Sequence, residues 1–168
     1  HLASVPALPG GGDRMREVRM MVAEPDGAYA EAIRTLSYEL GLARSPSRGA
    51  VIAVTSTLPN EGREAVASNL ALELALSGQR TLLVDADLRL GSLSRRLGIA
   101  GRAGLREAIS GGARLESLVL RDAATGLFSL PAGLLSADGL PASQALASPQ
   151  LSGVLAEFGR ERVHLISQ

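Results

Sequence analysis

The chain has 168 residues, 46% of them apolar, which suits one globular domain with a core of useful size and argues against disorder. Seventeen acidic residues balance seventeen basic ones and only 2% of residues are aromatic, so the cationic surfaces and stacking platforms of nucleic-acid binders are not expected. With no cysteine there are no disulfides and no thiolate metal sites, in keeping with a reducing compartment.

No apolar run approaches the roughly 18 residues needed to cross a bilayer, and no secretion-signal pattern opens the chain. The first residue is His1, not methionine, so a longer parent chain is expected. Residues 1–27 hold Pro6, Pro9, Gly10, Gly11, Gly12, Pro25 and Gly27, a density of backbone breakers that reads as linker, with the domain over residues 28–168. From Ala28 to Leu42, Tyr29, Ile33, Leu36 and Leu40 recur at helical spacing, with Glu31 and Arg34 on another face. Ser45 to Gly49 read as a polar turn, and Ala50 to Thr55 as a buried strand.

A helix over Glu64 to Ser77 is apolar on most faces and should be covered on more than one side, with Gly78 ending it. Thr81 to Val84 form the next strand, and strand, helix and strand make one parallel βαβ unit. Short helices are predicted over Ser92 to Leu97, Gly104 to Ile109 and Arg114 to Val119, and a strand over Leu127 to Leu130. Pro141 to Leu146 and Pro149 to Phe158 read as helices and Val163 to Ile166 as a final strand. The fold class is α/β, a parallel sheet with flanking helices. A sheet ending on that last strand would leave an apolar edge, a second reason to expect truncation at the C-terminus.

Chemistry is expected where Val54 to Val66 run from a strand through a polar loop into a helix start. Unpaired amides and the helix dipole favour phosphate there, and Gly62 permits close wrapping. A working phosphate loop adds a lysine for the phosphates and a Ser/Thr hydroxyl for Mg²⁺. Asp85 and Asp87, at the end of the second strand, are candidates for holding a metal, or simply for capping the next helix.

Three stretches, Glu31 to Leu36, Val54 to Gly62 with Ser68 to Ala71, and Leu82 to Arg89, resemble the cytoplasmic tyrosine-kinase (BY-kinase) domains of bacterial polysaccharide co-polymerases, which regulate exopolysaccharide chain length. The resemblance implies a P-loop NTPase-like fold, a phosphate loop over Asn60, Glu61, Gly62, Arg63, Glu64 and Ala65, and Asp85 and Asp87 as catalytic and Mg²⁺-holding residues. It also implies an interface through Glu31 and Arg34, and a juxtamembrane role for residues 1–27.

The loop departs from the family pattern of glycine, lysine, then serine or threonine, since Arg63, Glu64 and Ala65 follow Gly62. All seventeen basic residues are arginine, so Arg63 can reflect composition alone, although a planar guanidinium fits such a pocket differently from an ammonium. Glu64 replaces the magnesium-binding hydroxyl and brings a carboxylate towards the phosphates, a repulsion of about 4 kcal/mol at about 4 Å and an effective dielectric of about 20. That is worth about a thousandfold in affinity. Where the family closes a late strand with a third carboxylate, Ser167 stands, and His164 reads as a strand residue rather than a ligand. The family's Glu-Arg-Arg helix motif becomes Glu31, Arg34 and Ser37.

The leading expectation is a non-catalytic or crippled kinase-like domain (a pseudokinase with a degenerate Walker A) acting by protein contacts in exopolysaccharide biosynthesis and export. No cofactor is expected to bind it tightly. Its expected place is the cytoplasmic face of the inner membrane, with a membrane co-polymerase or a transmembrane region of its own parent chain as partner, or further copies of itself. The alternatives are an active tyrosine autokinase using ATP/ADP and Mg²⁺, and a partition- or division-type P-loop ATPase, against which Glu31 to Leu36 argues.

Overall fold

The computed structural model describes residues 3–8, 12–42, 50–58, 61–134, 149–159 and 164–167. Among these, five strands form one sheet in the order β1-β5-β2-β4-β3: β1 (Val51–Ala53), β2 (Thr81–Val84), β3 (Leu120–Arg121), β4 (Phe128–Leu130) and β5 (His164–Ser167). β1, β5, β2 and β4 are parallel, and β3 runs antiparallel to β4. The helices are α1 (Arg14–Glu17), α2 (Met20–Ala23), α3 (Ala28–Glu39), α4 (Arg63–Leu76), α5 (Ser92–Arg96), α6 (Leu105–Ile109), α7 (Leu115–Leu118) and α8 (Pro149–Gly159). The α/β fold read from the pattern is therefore the fold adopted.

β2 explains the layering. Its four residues are all buried, and alternate side chains leave opposite faces of the pleat. Leu83 joins a core with Ile33 of α3 and Leu70 and Leu74 of α4, whereas Leu82 and Val84 join a second core with Leu105, Ile109, Leu115 and Leu118 of α6 and α7. Helices thus cover both faces of the sheet. α4 is buried on most faces, as its all-round apolar sequence requires. It ends at Gly78, whose φ of +82° allows the Gln79 N–H to reach back to the Leu74 carbonyl at 3.0 Å.

Three expectations need correction. β1 and β2 do not pair directly: β5 lies between them, with Leu165 opposite both Val51 and Leu82. The crossover through α4 spans one strand position, so β5 is interior rather than an edge. β1 is not fully buried, because it is the edge strand: Val51 is 54% exposed while Ile52 packs against the first core.

The third correction concerns residues 1–27, which are not linker throughout. α1 and α2 place Val18, Met20 and Met21 in the first core. α4 holds them there from below: Ser68 Oγ donates to the Val18 carbonyl (2.6 Å), Asn69 Nδ2 to the Glu17 carbonyl (2.8 Å), and Asn69 Oδ1 accepts from Met21 N–H (2.9 Å). Breaker density flanks this strap without entering it. The predicted turn at Ser45 to Gly49 and helix at Pro141 to Leu146 lie outside the described residues.

Candidate phosphate-loop site

The C-terminal ends of β1 and β2 lead into the two segments that carry the candidate residues, the position at which open α/β sheets bind ligands. After β1, the loop reaches Gly62 in the left-handed region (φ +85°), and α4 begins at Arg63 with no side chain capping it. A Cβ at Gly62 would meet nothing within 4 Å, so the backbone conformation and not space demands glycine. Asn60 lies outside the described residues.

The loop's polar groups are turned on one another. Leu58 N–H donates to Glu61 Oε2 at 3.0 Å, Ser56 Oγ to the Leu58 carbonyl at 3.0 Å, and Arg63 Nη1 to Ser56 Oγ at 3.2 Å. Arg63 Nη2 also sits 3.4 Å from Glu64 Oε1. Glu64 is only 3% exposed, and its other oxygen, Oε2, is buried without a hydrogen-bond partner. Ala65 is buried behind it. The repulsion anticipated for a free Glu64 is thus offset by Arg63: the two make a neutral pair.

Asp85, 1% exposed, is bound on both oxygens: Oδ2 accepts from Ser94 N–H (2.7 Å) and Ser94 Oγ (2.6 Å), and Oδ1 from Asp87 N–H (3.1 Å). Burial pushes its carboxyl above the ordinary range, and the Ser94 and Asp87 donors oppose that. Asp87, by contrast, is half-buried. Burial would raise it too, but the N–H groups of Leu90 (3.0 Å) and Ser92 (3.4 Å) prevail and hold it below the ordinary range. Both aspartates therefore fasten the turn into α5, the capping role weighed above. Among the described residues, no three His, Cys, Asp or Glu side chains gather as a metal-type cluster. Ser167 ends β5 opposite Val84 and Ala53, level with the ends of both neighbours, and His164 lies at the other end opposite Thr81.

Glu31 and Arg34 stand together on α3, 3.4 Å apart, and Arg34 also donates to the Pro25 carbonyl (2.7 Å) and lies 3.7 Å from Glu73 of α4. Ser37, the third position of that motif, is buried. Tyr29 is buried as well, and burial pushes its phenol up to about 12, with Asn69 opposing and Glu17 adding.

Several lining residues escaped the sequence reading. A cavity of about 530 Å³ at the start of α4 is bounded by Arg63 and Glu64, by Ser92, Arg95 and Arg96 of α5, and by Arg14 of the strap. The signal that pointed there is the Ser94-Arg-Arg run soon after Asp87, whereas nothing local marked Arg14.

A mainly parallel sheet covered on both faces, with a strand-loop-helix at its carboxyl edge and an aspartate pair at the end of β2, across β5 from that loop, defines the P-loop class of α/β domains. No family model matches the chain. The succinoglycan biosynthesis transport protein ExoP of Rhizobium meliloti (strain 1021) is 40% identical over 139 residues, covering 82% of this chain and 17% of that protein. The putative tyrosine-protein kinase EpsB of Ralstonia solanacearum is 31% identical over 134 residues, covering 80% and 18%. Among solved structures, the BceF tyrosine kinase domain superposes with a TM-score of 0.74 at 27% identity, covering 99% of this chain and 71% of that one. The chain belongs to the bacterial tyrosine-kinase (BY-kinase) domain family of exopolysaccharide chain-length regulators. It spans less than a fifth of the length of the two curated relatives named.

Proposed function

We propose that the chain is a kinase-like domain of an exopolysaccharide-assembly system that grips nucleotide weakly and works through protein contacts at the cytoplasmic face of the bacterial inner membrane. Its partner on this reading is a membrane co-polymerase, within the same parent chain or beside it. The observation that carries the reading is the start of α4. There the lysine and hydroxyl of a working phosphate loop are replaced by an Arg63–Glu64 pair folded on itself and onto Ser56. Mg²⁺-nucleotide would have to displace Arg63, leave Glu64 buried beside the phosphates, and find its metal ligands without a hydroxyl at position 64. These residues do not fit Mg·ATP in the family manner.

Calorimetric titration with Mg·ADP and Mg·ATP tests this: no heat and no thermal stabilisation at millimolar nucleotide supports it, and micromolar binding refutes it. An Arg63→Lys, Glu64→Thr double variant that gains binding would locate the defect in this pair. Asp87 supports a second reading, an active autokinase, because it keeps its charge at the strand end as a metal ligand must. Under that reading, ATP-dependent tyrosine phosphorylation is measurable and disappears in Asp87→Ala.

A further inference from the structure

The strap that α4 holds also reaches α5. Arg96 Nη1 donates to Glu17 Oε2 at 3.0 Å, and the two side chains are only 14% and 22% exposed. Met15 lies against the far end of α5, where a Cβ on Gly98 would come within 3.2 Å of Met15 Cε. α5 is five residues long and begins at Gly91 without a side-chain cap, so it depends on its neighbours for its place. Its Ser94 binds Asp85 through N–H and Oγ, at 2.7 and 2.6 Å, and Ser94 Oγ accepts from Ala132 N–H at 3.1 Å. Glu17, Arg96, Ser94 and Asp85 therefore join the strap to the strand end that carries the candidate aspartates.

The strap is built to come away as a unit. Its two four-residue helices do not hold their own shape. They are kept in place by Ser68 and Asn69 of α4, by Val18, Met20 and Met21 in the first core, and by the Arg19–Asp122 pair at 2.8 Å, which is about one-third exposed. An exposed turn over Pro25 and Asp26 parts the strap from α3, so it can leave without unwinding that helix. We propose that the strap is a detachable clamp on α5. Docked, Glu17 holds Arg96 and keeps Ser94 on Asp85; released, it frees α5 and the turn from Asp85 to Ser94 to open with it. A signal that displaced residues 14–23 would thereby reach Asp85 and Asp87 without touching either. The clamp rests on the strap and α5 alone and is independent of how tightly nucleotide binds.

Native-state hydrogen exchange of the purified chain, read by NMR amide by amide, tests the coupling. The amides of Val22 and Ala23 report the strap, those of Arg95 and Leu97 report α5, and those of Leu83 and Val84 in β2 report the whole fold. Ser68→Ala, which removes a hydroxyl bonded to the strap and not to α5, should speed strap and α5 exchange alike, by at least about threefold beyond any change in β2. Referring each rate to β2 cancels a general loss of stability. Glu17→Ala keeps helix propensity in α1 but cuts the link to Arg96. It should speed α5 by itself, and adding Ser68→Ala to it should then speed the strap alone. Exchange in α5 that ignores Ser68→Ala, or that responds to it equally with and without Glu17, overturns the clamp. So does a strap whose exchange never separates from that of β2.

Discussion

Gly104 is held for space rather than for conformation. Its φ of −164° is extended backbone open to any residue, but a Cβ there would lie 2.0 Å from the Pro131 carbonyl oxygen. The close approach exists because Leu105 N–H and Arg106 N–H donate to the carbonyls of Pro131 and Ala132, while Gly104 N–H donates to Glu107 Oε2. Gly104→Ala must push the start of α6 off that segment, at a cost of about 1–3 kcal/mol or more, read as a lower urea midpoint. Asp122 makes a different kind of prediction. Burial would raise its carboxyl, but Ala124 N–H and the Arg19 guanidinium at 2.8 Å outweigh that and hold it below the ordinary 3.8. A depressed carboxylate gives stability that is complete above its unfolded value and lost as pH falls through its folded value. Asp122→Asn should therefore flatten the fall in Tm below about pH 4 and leave its slope near neutrality unchanged. An unchanged acid slope would remove Asp122 from the account.

At the scale of elements, the strap of α1 and α2 is fastened to α4 by two side chains, Ser68 and Asn69, and Asn69 makes the larger number of those bonds. Asn69 is fully buried and serves three backbone groups, Met21 N–H and the carbonyls of Glu17 and Ala65. Asn69→Ala leaves all three without that partner, at about 1–3 kcal/mol for each group that water cannot reach. The expected outcome is faster amide exchange over residues 14–23, beyond any change in α8, with the loss graded by how far water enters. This dependence also explains what the sequence concealed. Helices of four residues do not stand alone, and the partners of these two lie about fifty positions away on α4, so no local periodicity marks Val18, Met20 and Met21. α4 and β2 were legible because each carries its own reason for burial in its apolar pattern. The candidate site was legible in part for the same cause: Gly62, Arg63, Glu64, Asp85 and Asp87 stand in sequence beside recognisable strand ends. That Ser94 would bind Asp85, and that Glu64 would be buried against Arg63, depend on the approach of α5 and on rotamers that spacing does not encode.

The whole molecule turns on β5, whose central place the chain order does not suggest. It pairs in parallel with β1 on one side and β2 on the other, and it is the described strand that joins β1 to the rest of the sheet. α4 then lies across β2 and β5 while its own N-terminus faces the loop that leaves β1. Without β5, β1 would lose its ladder partner and β2 one of its two, and the 3-residue β1 would have only Ile52 and its flanks to hold it. The loop into α4 would then be anchored at one end only. A chain ending at Gly159 is expected to keep helical circular dichroism from α3 and α4 but to lose cooperative thermal unfolding. Adding back a separate peptide with the sequence of residues 160–168 should restore cooperativity by strand insertion, since the vacated position offers hydrogen-bonding edges on both sides. Cooperative unfolding of the shortened chain at an unchanged Tm would mean that β1 and β2 can close on each other, and that the order of this sheet is held by its helices rather than by its central strand.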